Sequence, residues 1–534
     1  MNKGQGTVPC PRKTNIMATT KERDELHRTI WAIANELRGK VDGWDFKAYV
    51  LGTLFYRYIS ENLTRYINKM QQDAGVEDFD YAQFDDEGAM EAKEQMVSEK
   101  GFFILPSQLF CNVAANAAND ENLNETLAKT FRAIEASAVG SQAEYKMRGL
   151  FSDFIVDNSK LGITVADRNK VFAAVISKVK EMKLSEKLED NDNDTFGDTY
   201  EFLMGMYAAN AGKSGGEYFT PQQVSEVLVR IATHDNDKID TVYDPACGSG
   251  SLLMKFQKII GKENPNLKFY GQEINPTTYN LCRINMFLHN VNYNNFDIEL
   301  GDTLLNPLHL GMEFDAIVSN PPYSLKWIGK DNPILINDER YASAGVLAPK
   351  SAADLAFTMH MLHHLKESGT CAIVEFPGVL YRGGAERQIR EYLIMGNYVD
   401  TVIQLPPNLF YGVGIATCII VLKKGKKPDG NVLFIDAANE FVKNGNKNLL
   451  TEKNMDAIVN AFIDRKDEQY FTKLVSNEDI IANDCNLSVS SYVEQEDTRE
   501  KIDIKAINKD IVKVVERVND LRNEVNGYIE EMEG

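Results

Sequence analysis

The four residues Asn320-Pro321-Pro322-Tyr323 carry the most specific chemistry in the chain. They follow the apolar run Phe314–Ser319, which predicts a buried strand. Consecutive prolines end a strand, fix φ at about −65° and hold the residue before each in an extended conformation. Such a rigid turn offers the Asn320 amide oxygen and the Pro321 carbonyl as two acceptors, matched to the two hydrogens of an amino group. Tyr323 adds a face for stacking a planar ring. An amino group on an aromatic ring is a poor nucleophile, because its lone pair is conjugated. Two acceptors favour a more tetrahedral nitrogen and free that pair for in-line attack. Catalysis of this kind rests on positioning and electrostatics, and requires neither a metal nor a covalent enzyme intermediate.

A second set of residues reads as a cofactor site. Asp244-Pro-Ala-Cys-Gly-Ser-Gly250 separates a predicted strand, Thr241–Tyr243, from a predicted helix, Leu252–Ile260. Gly248 and Gly250 let the backbone approach a ligand closely at the end of a strand, with Asp244, Ser249 and Ser251 beside them. Glu273 ends the next strand, where a carboxylate can accept from both hydroxyls of a ribose. Asp302 follows the strand after that and can accept from an adenine amino group. Upstream, Glu217-Tyr218-Phe219-Thr220-Pro221-Gln222 leads into a helix predicted over Gln222–Thr233. Thr220 is expected as its N-cap and Pro221 as its first residue, so that the helix start favours a carboxylate between the apolar walls of Tyr218 and Phe219. The loop departs from the GxGxxG of dinucleotide binders. The arrangement resembles the cofactor fold of S-adenosylmethionine-dependent methyltransferases, which implies the methionine carboxylate as the ligand of that helix start.

The elements that position these residues follow from periodicity. From about Gly216 to Asp436, strands alternate with helices: Thr241–Tyr243, Lys268–Gln272, Phe314–Ser319, Thr370–Phe376, Val399–Gln404, Thr417–Leu422 and Val432–Ile435. This predicts an α/β fold with a mostly parallel, doubly wound sheet. Residues 21–185 read as a helical domain, with Ile30, Ile33, Leu37, Phe46, Val50, Leu54, Tyr58 and Leu63 at helical spacing. Residues 186–198 read as an acidic linker, 199–475 as the catalytic domain and 476–534 as a helical tail. In that tail Ile504, Ile507, Ile511, Val514, Val518, Leu521, Val525, Tyr528 and Met532 alternate spacings of three and four, a heptad seam that calls for a partner helix. Packing on the chain's own N-terminal bundle is the alternative.

Composition sets the bounds. The 534 residues exceed one ordinary domain, and 43% hydrophobic with 25% charged residues suits a globular chain. The net charge of −20 argues against a protein that coats nucleic acid unaided, although a local basic cleft remains compatible with it. The seven cysteines are dispersed without a CxxC pair, as reduced thiols are in a cytoplasmic chain. No apolar run reaches the roughly 20 residues of a membrane helix. Residues 1–20 read as a disordered leader, and Met17 is an alternative start. His360, His363 and His364 lack the HExxH pattern and read as structural rather than as a metal site. Ser324–Lys350, with Lys326, Trp327, Lys330, Arg340 and Lys350, reads either as a mobile loop over a target base or as a plain surface loop.

The order of GEYFTP, DPACGSG, Glu273 and NPPY resembles the gamma-class amino methyltransferases of DNA. With Phe196-Gly-Asp-Thr-Tyr-Glu-Phe-Leu203, the helical N-terminal region and the C-terminal heptads, the chain from about Thr20 onward resembles the modification (M) subunits of type I restriction–modification systems. The resemblance implies a prokaryotic cytoplasmic, adenine-specific DNA methyltransferase that uses S-adenosylmethionine and flips its target base. It implies two M subunits clasping one specificity (S) subunit, with which a restriction (R) subunit can associate, and no membrane role. It implies that Glu217 to Gln222, Ser249, Gly250, Ser251 and Glu273 line the cofactor and that Asn320, Pro321 and Tyr323 hold adenine. One departure is Ser251-Leu252, where many members carry an aromatic residue. Methyltransferases of protein glutamine share NPPY but are shorter chains without these terminal regions. Cytosine-N4 enzymes usually open the motif with Ser. A non-catalytic scaffold that retains the fold is the rival from another class, and cofactor binding discriminates it.

Overall fold

The computed structural model describes residues 43–182, 184, 195–210, 220–236, 238–261, 263–410, 412–426, 430–495 and 503–534. The leader, Ile30, Ile33, Leu37, residues 186–194, Gly212–Gly216 and the predicted site residues Glu217, Tyr218 and Phe219 lie outside them.

Short runs of β-branched and aromatic residues form the strands β1 (Thr241–Asp244), β2 (Lys268–Glu273), β3 (Phe296–Leu300), β4 (Phe314–Ser319), β5 (Leu365–Glu375), β6 (Val399–Gln404), β7 (Cys418–Lys423) and β8 (Asn431–Asp436). A small hairpin, β9 (Val442–Asn444) and β10 (Lys447–Leu449), and an edge strand, β11 (Thr472–Ser476), complete the set. Nine of them make one sheet in the order β11-β8-β6-β7-β5-β4-β1-β2-β3. The pairs β4–β5, β1–β4, β1–β2, β2–β3 and β6–β8 are parallel. β7 runs antiparallel between β5 and β6, and β11 antiparallel on β8. The mostly parallel sheet expected from the alternation is therefore present, with two antiparallel exceptions.

Both faces of the sheet are covered, which is why its central strands are apolar at successive positions. Val242, Ala316, Val318, Ala372 and Val374 belong to one apolar cluster; Tyr243, Ile317, Cys371 and Ile373 belong to the other. The first cluster continues without a break into the N-terminal helices α1 (Gly43–Asp73), α2 (Leu123–Ser137), α3 (Val165–Glu181) and α4 (Thr195–Asn210). It also takes in α5 (Gln222–His234), α6 (Ser251–Ile260) and α7 (Pro276–Leu288). α8 (Asp354–His363) and α9 (Ala385–Met395) cover the opposite face.

α1 is buried on every side from Tyr49 to Ser60, so Val50, Leu54, Tyr58 and Leu63 belong to a central helix rather than to one stripe of an amphipathic one. Gly52 admits the Phe154 ring, which a Cβ there would meet at 2.8 Å. The buried Arg57 donates to the Val179 and Met182 carbonyls, at 2.5 and 2.9 Å, where α3 ends and its last carbonyls lack helical partners.

The helical region is bonded directly to the sheet-bearing region. From α7, Arg283 reaches the carbonyls of Tyr145, Lys146 and Arg148, and Asn280 the Ser152 hydroxyl at 2.8 Å. Tyr293 donates to Ser98 O at 2.7 Å. α4, which opens at Thr195 inside the stretch expected as linker, sends the Tyr200 hydroxyl to Leu281 O at 2.7 Å.

Residues 43–493 form one compact unit, and 494–534 a second. In the second, α10 (Ile504–Glu533) is capped by Asp503, whose carboxylate accepts from Lys505 N and Ala506 N. All nine residues of the expected seam are exposed, and Val512, Val515 and Ile529 widen the stripe. Among the described residues, no helix is long and apolar enough to cross a membrane.

Candidate active site

Adjacent parallel strands end together, and the loops that leave β4, β1, β2 and β3 carry the residues singled out from the sequence. This is the carboxyl edge, where ligands bind in open α/β sheets.

The loop after β1 is held by its own backbone and by β2. Gly250 N donates to Cys247 O at 2.8 Å, and Cys247 N to Gln272 O at 3.1 Å. Gly250 has φ +78°, and a Cβ on it would meet Cys282 Sγ at 2.7 Å. Only glycine satisfies both constraints. Asn285 on α7 donates to Ser249 O at 3.0 Å, and the Ser249 and Ser251 hydroxyls lie 3.3 Å apart. Glu273 ends β2 with one carboxylate oxygen on Gly248 N (3.0 Å) and the other on Asn275 N (2.8 Å). Burial raises its pKa, against the lowering by these backbone donors. Each oxygen retains a lone pair, so Glu273 can brace the glycine loop and still accept from a ligand.

Asp302 follows β3. Its Oδ1 accepts from Leu304 N at 2.9 Å and Leu305 N at 3.2 Å, which fixes a tight turn. Thr303 ties this turn to the first loop through a 2.6 Å bond to Pro245 O.

Asn320, Pro321, Pro322 and Tyr323 leave β4 beside the glycine loop. Ser319 makes the connection, donating to Asp244 Oδ1 at 2.8 Å, and Ala246 N donates to the same oxygen at 3.0 Å. Asp244 is buried, and desolvation pushes its pKa up to about 7 against these two donors. Asn320 is buried too, and its Oδ1 accepts from the Tyr323 hydroxyl at 2.5 Å. Tyr323 thus orients the Asn320 amide, a role beyond the stacking face expected for it. Its ring packs near Phe376 and Phe410, at 5.9 and 6.3 Å between centroids, and burial drives its pKa well above that of a free phenol. Ser324 turns the chain at φ +51°, its N–H held by both oxygens of the buried Asp354 on α8.

The start of α5 differs from expectation. The helix begins at Gln222 with Pro221 as its N-cap, so the buried Thr220 lies one residue outside and supplies no cap. Proline lacks a donor and takes an extended ψ of 134° here, which suits the cap position. Gln222 Nε2 is buried with no hydrogen-bond partner among the described residues. Such an orphaned donor at a helix N-terminus fits an anionic ligand group.

Within the segment Ser324–Lys350 the basic and aromatic residues differ in setting. Arg340 is buried with its guanidinium turned inward, Trp327 donates to Pro349 O at 3.0 Å, and Lys350 pairs with Asp331. Arg340 is committed inside the protein and Trp327 is half-buried, whereas Lys326, Lys330 and Lys350 are exposed. His360 bonds to Tyr243 and Arg340, and His364 to Met312 O, as structural residues. Among the described residues, no three His, Cys, Asp or Glu side chains group to hold a metal.

Ser319, Asn275, Asn285, Asp354, Phe376 and Phe410 escaped the sequence reasoning. The first two adjoin recognised motifs and were within reach; the others come from elements whose neighbours only the fold supplies.

The N-6 DNA methylase family matches residues 191–501, and the HsdM N-terminal domain matches residues 26–179. A type I restriction enzyme MpnII methylase subunit from Mycoplasma pneumoniae is 46% identical over 96% of this chain and 97% of its own. The chain belongs to the N-6 DNA methylases, among the methylase subunits of type I restriction enzymes. The MjaVII methylase subunit of Methanocaldococcus jannaschii is 29% identical over 95% of this chain and 84% of its own. The crystal structure of a type I restriction–modification methyltransferase subunit from Streptococcus thermophilus superimposes with a TM-score of 0.80 at 35% identity. It covers 88% of this chain and 99% of that one. In this N6-adenine methyltransferase the glycine loop and the Asn320–Tyr323 turn leave adjacent parallel strands, β1 and β4.

Proposed function

We propose that this methylase transfers a methyl group from S-adenosylmethionine to N6 of adenine in DNA, within an assembly of two such chains and one specificity subunit. The observation that carries this reading is the Ser319–Asp244 hydrogen bond, which locks the acceptor turn to the glycine loop. The residues present fit the cofactor. The glycine cradle excludes a Cβ, Glu273 and Asp302 supply acceptors, and Gln222 offers a donor without a partner among the described residues. Glu273 takes the ribose hydroxyls, Asp302 the adenine amino group, and the start of α5 with Thr220, Pro221 and Gln222 the methionine carboxylate; Glu217, Tyr218 and Phe219 immediately precede that start in the sequence. S-adenosylmethionine supplies an electrophilic methyl on a sulfonium sulfur.

Asn320 Oδ1 and the Pro321 carbonyl accept the two N6 hydrogens, while the Tyr323 hydroxyl fixes the amide in the orientation that presents its oxygen. The buried setting strengthens both bonds and excludes water. The base must leave the duplex to reach them. The net charge of −20 suits a subunit that borrows DNA affinity from the specificity subunit. The exposed stripe of α10 suits a helix that docks on that subunit, and a restriction subunit can join the assembly.

The test is methyl transfer from labelled S-adenosylmethionine to DNA, with and without the neighbouring specificity subunit, followed by nucleoside analysis. N6-methyladenine formed only with the partner is the expected result. Label in protein, or none in DNA despite cofactor binding, overturns the acceptor and the assembly.

A further inference from the structure

Arg340 lies on the short helix Glu339–Ala342, in the segment that leads away from the Asn320–Tyr323 turn, and is 2% exposed. A guanidinium has five N–H donors in a fixed planar fork and no acceptor. All five are used here. Nε donates to Asp338 Oδ1 at 2.9 Å. Nη2 donates to Asp338 Oδ2 at 2.7 Å and Leu304 O at 2.9 Å. Nη1 donates to Thr303 O at 2.8 Å and to His360 Nδ1 at 3.1 Å. Because the guanidinium can only donate, His360 Nδ1 must accept, which leaves Nε2–H facing the Tyr243 hydroxyl at 3.0 Å. Tyr243 is the β1 residue before Asp244.

The turn after β3 is thereby held from two sides. Asp302 binds the N–H groups of Leu304 and Leu305, and Arg340 binds the carbonyls of Thr303 and Leu304. Thr303 joins the turn to Pro245 in the glycine loop. We propose that Arg340 is a positioning residue of the cofactor site. It sets the Thr303–Leu304 peptide so that Asp302 faces the adenine of S-adenosylmethionine, and it ties the loops after β1 and β3 to the segment following the acceptor turn. This rests on the assignment of Asp302 proposed above. A lysine at 340 brings a point charge that cannot serve Thr303, Leu304, Asp338 and His360 together, so the turn relaxes even though the charge is kept.

Calorimetric titration of the full chain with S-adenosylmethionine tests this on Arg340→Lys, Asp302→Ala, the double variant and Asp338→Asn, alongside thermal melts and steady-state methylation. Arg340→Lys is expected to weaken binding about tenfold, the usual size for lost bonds to a charged group. Asp338→Asn, which alters a partly exposed partner, is expected to shift affinity the same way but less. The cofactor KM should rise while kcat at saturating cofactor changes much less. The double variant should bind no more weakly than the weaker single variant, because Arg340 acts through Asp302.

Unchanged affinity in Arg340→Lys beside weakened binding in Asp302→Ala overturns the positioning role, and so do losses that add in the double variant. Unchanged affinity in Asp302→Ala overturns the assignment of Asp302 itself and this proposal with it, and the two failures are told apart by that variant alone. If Arg340→Lys does not fold, Asp338→Asn against Asp302→Ala, singly and combined, makes the same comparison.

Discussion

At the scale of single residues, the Tyr323 hydroxyl donates to Asn320 Oδ1, and in the proposed mechanism one side chain accepts from the reacting amino group while the other aims it. Asn320→Ala removes the proposed acceptor for the reacting amino group, and Tyr323→Ala removes the hydroxyl that donates to it. Both variants should keep cofactor affinity and lose methyl transfer by about 10²–10³-fold, the usual effect of deleting one preorganised polar contact. Equal loss of cofactor binding in calorimetry would contradict the roles. Asp244 carries a separate prediction. Its pKa of about 7 lies well above that of an ordinary carboxyl, because burial disfavours the charge. The folded chain therefore holds this proton more tightly than the unfolded chain does. The stabilisation is complete below the ordinary carboxylate range and is lost as pH rises through about 7. Asp244→Asn abolishes the titration. In cofactor-free protein, the melting temperature of the variant relative to wild type should increase from about pH 5 to about pH 8; a constant difference would refute the charge penalty.

At the scale of elements, α10 is the clearest case of a helix whose sequence asks for a partner. An isolated helix in water is marginal, and its stability ordinarily comes from burying an apolar face. Here Ile507, Ile511, Val514, Val518, Leu521 and Val525 are exposed. Removing residues 504–534 should leave the melting curve of the remaining chain unchanged while abolishing co-purification with a specificity subunit. Retained co-purification would assign docking to another surface. The start of α5 teaches a smaller lesson. Thr-Pro at a helix start fits two registers, with threonine or proline as the cap, and local propensity does not separate them. Here proline takes the cap, and the buried Thr220 lies one residue outside the helix.

At the scale of the whole molecule, the helical and sheet-bearing regions share one apolar cluster, and Arg283 is buried against carbonyls of the other region. Without residues 1–182, the α7 residues Arg283 and Asn280 lose hydrogen-bond partners and the aromatic contact between Phe55 and Phe287 disappears. Their removal also uncovers the apolar cluster that the two regions share, and exposing even a few large buried side chains costs several kcal/mol, about the margin of a whole domain. The fragment beginning at Thr195 should therefore lack near-ultraviolet circular dichroism and bind a hydrophobic dye. A cooperative melt for that fragment would show that the catalytic region folds alone. The parallel sheet, the glycine loop and the Asn320–Tyr323 turn were legible in the sequence, because strand period, glycine and proline act on the backbone within a few residues. The heptads of α10 were legible for the same reason. Tertiary structure alone decided that Ser319 bridges to Asp244, that Asp354 holds Ser324, that α1 is buried all round, and that Arg340 turns inward rather than toward nucleic acid. A side chain's partner across tens of residues depends on which strands become neighbours, and no local period encodes that.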